Sequence, residues 1–349
     1  MKGQNYFTPA LILHPIMVGN PQLFPISCAF LLAIAVLSGG CEQTIEVKLP
    51  EVEPEIVVEG RVETGLPPFV TLSLTSGYFE PLSFQNLEGQ FLGDATLTLS
   101  RSGGASTELT PVCTGDLSEP ELVLASEWLG IPPDLLATVD LCIYTSFDPS
   151  WSGEPATTYH LEVVREGKVV EATTRIPEAV PMDSIWFESP GPPDSLGIAH
   201  AIVSDPDTLG NAYRWFARRI NRRPAWDPEA GEPKDADFIA PLGSVIDDAF
   251  FNGLSFEFTA FRGSTPGSTA WDDDFNNGEA GFFKQGDTVV VKTCTIDRQV
   301  YLALASYEAL ILGQGSPFSI PADMVDNIEG GRGLFAGYSA SLDTVIFQP

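Results

Sequence analysis

The chain has 349 residues, with 47 Asp and Glu against 18 Lys and Arg, for a formal net charge of −29 at pH 7. Only Lys2 among these charged residues precedes Cys41, so the remainder is more acidic still, and such a surface repels phosphate backbones and anionic headgroups. Nucleic-acid binding is thereby excluded, while a hydrophobic content of 44% is ample for packed cores.

The first element is a leader. Cys28–Leu37 is an uninterrupted apolar run of about ten residues, half of the roughly twenty a helix needs to cross a bilayer. That length fits the h-region of a secretory signal. It is followed by Ser38-Gly39-Gly40-Cys41, small residues before a cysteine, which resembles the lipobox of lipoprotein signal peptides. Residues 1–40 are therefore expected to be removed and Cys41 to carry the lipid, with 41–54 as a tether. The usual leucine sits one position early, at Leu37, and a start at Met17 gives a leader of more ordinary length. Two or three acyl chains, at about 0.8 kcal/mol per buried CH2, anchor a protein for good. The polar start Glu42-Gln43-Thr44 is compatible with the outer membrane. An ordinary secretory signal with a chance cysteine, or a buried core helix, is the bland alternative.

Beyond the leader about 300 residues remain, and the usual domain size predicts two domains. Residues 55–176 read as short strands: Glu55–Val62, Phe69–Thr75, Ala95–Ser100, Val139–Thr145, Thr158–Val164 and Val169–Arg175. They alternate at period two, and Glu166-Gly167 is a hairpin turn between the last two. This spacing predicts a β-sandwich. Pro111–Pro155 interrupts the rhythm as a long decorated loop with one helical turn near Pro132–Thr138. Beyond Cys28 and Cys41, three cysteines remain. Cys113 and Cys142 bracket this insertion and are the expected disulfide of an exported protein, whereas Cys294 sits in an apolar strand and reads as a small buried hydrophobe.

Ile176–Pro181 carries two prolines and predicts a boundary, with a second β-rich domain over 182–349. Its strands are Ser184–Glu188, His200–Ser204 and Ala212–Asn221 paired around Asp205-Pro206-Asp207, then Ser255–Phe261, Thr288–Thr295 and a last strand Gly337–Phe347. Helical periodicity runs from Ile296 to Leu312, with Thr295 as N-cap, Asp297 at the positive end and Gly313 as the stop. The expected fold is mainly β, two antiparallel sandwich-like domains, the second with one helix over about 296–312.

Chemistry-bearing patterns are sparse. His160 and His200 are the only imidazoles outside the leader, and there is no G-x-S-x-G, H-E-x-x-H or C-x-x-C. Zinc and a Ser–His–Asp hydrolase therefore have no local support. Asp272, Asp274 and Asn276 in Trp271–Glu279 offer hard oxygens for calcium, although the glycine comes one residue late for an EF-hand loop, and a solvated acidic turn is the alternative. Trp128, Trp151, Trp226 and Trp271 lie in loop-like segments. Aromatic faces there suit stacking on a glycan or anchoring a peptide or protein partner, with Trp128, Trp151 and Trp271 the main candidates. Arg214, Arg218, Arg219, Arg222 and Arg223 form a basic cluster that either pairs with local carboxylates or marks a contact for an anionic ligand or partner.

The order of motifs carries a resemblance. Ile45–Pro50, Ile56-Val57-Val58-Glu59-Gly60, Val70–Phe79, Gly286–Val291, the Tyr301–Tyr307 helix and Asp326–Tyr338 together resemble the envelope lipoproteins catalogued as domain of unknown function 4249. The resemblance covers essentially the whole mature chain and is weakest in Pro111–Pro155. It implies no catalytic residues, since that family has no established activity. It implies context: such lipoproteins are often encoded beside TonB-dependent outer-membrane transporters. The first half is also similar to carboxypeptidase-regulatory or transthyretin-like sandwiches. The function expected from all this is a non-enzymatic outer-membrane lipoprotein, an accessory or ligand-binding partner of TonB-dependent uptake. A structural envelope lipoprotein and a carboxylate-based hydrolase are the alternatives.

Overall fold

Alternation of apolar with polar residues builds sixteen strands and two α-helices among the residues described by the computed structural model, namely 53–75, 90–129, 136–191, 195–223, 225, 230–235, 237–263, 281–313 and 324–348. The mainly β class follows. In chain order the first half supplies β1 (Ile56–Glu63), β2 (Phe69–Leu74), β3 (Thr96–Arg101), β4 (Ser106–Cys113), α1 (Glu119–Leu129), β5 (Cys142–Thr145), β6 (Thr157–Arg165) and β7 (Lys168–Ile176). The second half supplies β8 (Met182–Glu188), β9 (Leu196–Ser204), β10 (Ala212–Arg219), β11 (Val245–Asp247), β12 (Ser255–Ala260), β13 (Phe283–Lys284) and β14 (Thr288–Ile296). It ends with α2 (Arg298–Gly313), β15 (Ile328–Glu329) and β16 (Arg332–Ile346).

Twelve strands form one sheet in the order β11-β10-β14-β16-β1-β2-β5-β4-β3-β6-β7-β15. A smaller sheet runs β12-β9-β13, with β8 also on β9. The strand that ties the halves together is β16. Its first part pairs in parallel with β1, Arg332 to Tyr338 against Val57 to Glu63, and its remainder pairs antiparallel with β14. Parallel neighbours need a long crossover connection, and here nearly the whole chain is that connection. Val52–Pro349 is accordingly one compact unit, and the expected boundary at Ile176–Pro181 falls between two core clusters within it.

The alternation of β16 decides what lies on each side. Phe335 enters the first core with Val58, Leu72, Leu97, Leu161 and Ile176, and Val345 packs against the second with Ala201, Tyr213, Trp215 and Val291. Leu334, Ala336, Tyr338 and Ala340 point the other way, toward α2. The first core closes because β7 crosses β16 at very short range. A Cβ at Gly337 would lie 2.4 Å from the Arg175 carbonyl oxygen, so only glycine fits.

Several expectations need correction. β9 and β10 are not a hairpin pair: β9 joins β8, β12 and β13, while β10 joins β11 and β14, so the Asp205–Asp207 turn passes from one layer to the other. The insertion also holds an eleven-residue helix, α1, ahead of Pro132, which was not expected; the turn expected near Pro132–Thr138 lies mostly outside the described residues, with Leu136 helical. The N-cap of α2 is Asp297, not Thr295. Asp297 Oδ1 accepts the Val300 N–H at 2.8 Å, and its Oδ2 accepts the Arg175 N–H at 3.1 Å. Thr295 Oγ1 is engaged instead by the Val180 N–H, 3.1 Å away. The Glu166-Gly167 turn takes positive φ at both residues, 50° and 81°, as a two-residue type I′ hairpin requires. No helix among the described residues is long and apolar enough to cross a membrane.

Candidate functional site: a cation-lined groove beside the helix

On the α2 side of the large sheet, the same alternation brings together side chains from four neighbouring strands. β10 contributes Arg214, Phe216 and Arg218, and β14 contributes Lys292, which lies directly opposite Phe216. β1 contributes Glu59, Arg61 and Glu63, with Arg61 opposite Phe69 of β2. Between them β16 presents Ala336 and Ala340, whose small side chains leave a low floor. The buried face of α2, Val300, Ala303 and Leu304, covers only part of this surface. What remains is a groove of two adjoining cavities, about 800 and 580 Å3, which share Arg61, Glu63, Phe69, Asp237, Phe238 and Lys292.

Lys292 is the centre. It is only 8% exposed, and its Nζ lies 3.1 Å from both carboxylate oxygens of Glu63. It also sits 4.7 Å from the ring centroids of Phe216 and Phe238, so one ammonium is held by a carboxylate and two aromatic rings. Arg214 stacks on the same Phe216 ring at 4.9 Å and donates to the Tyr338 hydroxyl at 3.0 Å, while its Nε is buried with no hydrogen-bond partner among the described residues. Burial pushes the Tyr338 phenol up, against the opposing pull of Arg214 and Arg61, so the hydroxyl stays neutral and able to donate. Arg61 lies exposed over Phe69, 4.7 Å from its centroid, and makes no ion pair among the described residues. Arg218 spends its Nε on the Asp235 carbonyl, 3.2 Å away. Under α2, on the same face, burial raises the Cys294 thiol to about 12.

The five-arginine cluster thus divides. Arg214 and Arg218 face the groove. Arg219 forms a buried ion pair with Asp235, which accepts its backbone N–H, Nε and Nη2 at 2.8, 2.9 and 2.7 Å. Arg222 donates to the Gly231 carbonyl at 2.5 Å. Arg61, Glu63 and Lys292 were not candidates from sequence. The available signal was Lys292 itself, a charge inside Thr288–Ile296, where every neighbour is apolar or Thr.

Trp151, expected in an exposed loop, is buried. The turn Pro149–Trp151, closed by the Ser150 N–H donating to Asp148 Oδ1 at 2.9 Å, folds the indole into the first core. There it is 6% exposed and lies under the Arg101 guanidinium at 5.0 Å. Cys113 and Cys142 are joined, at an S–S distance of 2.01 Å, across directly paired positions of β4 and β5. The backbone of Trp128 belongs to α1, but its side chain lies outside the described residues, as do Cys41, Trp226, Trp271 and the calcium candidates Asp272, Asp274 and Asn276. His160 Nδ1 lies 3.1 Å from Thr173 Oγ1, and His200 Nδ1 lies 2.7 Å from Glu257 Oε1. Neither imidazole is hydrogen-bonded to a serine or cysteine among the described residues.

No protein-family model matches this chain, and no curated protein is significantly similar to it.

Proposed function

We propose that this protein is a non-enzymatic, lipid-anchored protein of the outer membrane that holds a small ligand and assists a TonB-dependent uptake system. The ligand-binding part rests on one observation, the groove that the described residues leave open beside α2. Its two cavities of about 800 and 580 Å3 are the size of small-molecule sites, and their walls combine aromatic rings with a few convergent charges. The anchoring part rests on Ser38-Gly39-Gly40-Cys41, and the transporter part on the resemblance to lipoproteins encoded beside such transporters.

The test is purification of the full lipidated chain from its native membranes in mild detergent. Native mass spectrometry then reads bound small molecules, and proteomics reads copurifying barrels. The expected result is a stoichiometric bound mass that disappears in the double variant Leu342→Trp with Met324→Trp, which places a ring in each cavity. Both positions are partly exposed, at 57% and 36%, so the fold tolerates the change. No bound mass and no barrel would overturn the proposal in favour of a structural envelope protein.

A further inference from the structure

We infer that the groove selects an organic monoanion, a carboxylate carried on an elongated aromatic or aliphatic body. This rests on the proposal that the groove binds a small ligand. The argument begins with charge. Lys292 and Glu63 neutralise one another, leaving three guanidiniums, Arg61, Arg214 and Arg218, against Glu59 and Asp237. The groove therefore keeps one positive charge in surplus, on a chain whose formal net charge is −29. A dianion would exceed that surplus, and a neutral ligand would leave it unanswered.

The donors are also underused. Among the described residues, Arg214 spends one N–H on Tyr338 and has a buried Nε with no hydrogen-bond partner, and Arg61 lies over the Phe69 ring without an ion pair. Unsatisfied buried donors are a standing cost in a fold, and guanidinium forks match the planar geometry of a carboxylate. The rings of Phe69, Phe216 and Phe238 hold the cations in place and offer flat faces beside them. Away from this charged middle the walls turn apolar, with Leu66, Pro67 and Leu342 at one end and Ala303, Met324 and Leu334 at the other. The shape thus asks for one anionic group with apolar substance extending from it.

The experiment uses 2-naphthoate and its uncharged isostere 2-naphthamide. Each is titrated into the full chain by isothermal titration calorimetry in mild detergent, against a detergent-only blank. Naphthoate is expected to bind at least tenfold more tightly than naphthamide. Arg61→Gln and Arg214→Gln are each expected to remove most of that preference, read as the ratio of the two affinities measured in the same variant. Circular dichroism and thermal melts of the variants verify that they fold. Equal binding of the two probes, abolished by the Leu342→Trp and Met324→Trp double variant, would overturn the anion preference and leave the ligand-binding groove intact. Binding of neither probe would overturn both.

Discussion

Removing the Asp235 carboxylate takes from the buried Arg219 an acceptor of two guanidinium hydrogen bonds and one from its backbone. The side chains of Arg219 and Asp235 are only 3% and 2% exposed, and three of the hydrogen bonds between them, at 2.7–2.9 Å, end on that one carboxylate. Breaking such a pair from one side costs about 3–5 kcal/mol, because the remaining charge has lost its water as well as its partner. Asp235→Ala is therefore expected to lower stability by about that amount, read by urea unfolding followed through tryptophan fluorescence. At ~2–4 °C per kcal/mol for a chain of this size, the melting temperature falls by roughly 6–20 °C. The double variant Arg219→Met with Asp235→Leu is expected to recover most of the loss, since apolar replacement of a whole buried pair is near neutral. A single-variant cost below about 1 kcal/mol would refute the reasoning, because it would mean the guanidinium finds water or another acceptor. The same substitution is also expected to weaken 2-naphthoate binding. The Asp235 carbonyl holds Arg218, and Asp237 and Phe238, two and three residues on, wall the groove.

Cys294 is fully buried, and burial raises its thiol to about 12, so Ellman's reagent at pH 8 is expected to leave it unmodified until the protein is unfolded. The unfolded thiol ionises near 8.5, so the folded state loses stability as pH rises from about 8.5 toward 12, by at most about 1.4 kcal/mol per pH unit. The difference in melting temperature between the wild-type protein and Cys294→Ala across that range reads the effect, and a difference independent of pH would refute it. The Cys113–Cys142 bond closes a loop of sequence separation 29, which contributes on the order of 3–4 kcal/mol in the chain-entropy model. Cys142→Ser is expected to lower the urea midpoint accordingly, and Gly93→Ala to do so in part, because its Cβ would lie 2.5 Å from Cys142 Sγ.

What was legible in the sequence was local. Thr158–Val164, Glu166-Gly167 and Val169–Arg175 are a hairpin because alternation and turn chemistry act within twenty residues, and β6, the turn and β7 fall where that pattern puts them. Thr288–Thr295 and the helix after it were likewise readable, the helix being displaced by two residues because Asp297 outcompetes Thr295 as the cap. Asp297 also accepts hydrogen bonds from Thr174 and Arg175, and no local rule encodes that tertiary bond. The groove was not legible. It depends on β1 and β16 lying side by side, and Arg332–Glu55, an ion pair at the start of that pairing, spans 277 residues. Arg61 reads as one polar residue of an ordinary strand, and Glu63 falls just past its expected end, until that neighbour is known. Trp151 misled for the converse reason: a Pro/Gly-rich setting predicts exposure, but a one-turn 3-10 helix is enough to aim the ring inward.

Lys292 and Glu63 give the sharpest separation between a site and a scaffold. Two charges this poorly solvated recover their desolvation cost only in part, and apolar replacement of a buried pair is often neutral or stabilising by 1–4 kcal/mol. Stability alone therefore does not account for a lysine in the middle of β14. Its position does more for the groove, since its ammonium holds the Glu63 carboxylate and lies against the rings of Phe216 and Phe238, beside Arg214 and Arg218. The double variant Lys292→Met with Glu63→Leu is expected to melt within a few degrees of the wild-type protein, or above it, and to bind 2-naphthoate at least tenfold more weakly. A variant that melts far lower would make the pair a structural device joining β14 to β1 across the small Ala340. A variant that keeps naphthoate affinity would show that the arginines alone set the anion preference. Measured side by side, melting temperature and affinity separate these roles, because the pair touches both the packing between strands and a groove where the described cations outnumber the carboxylates.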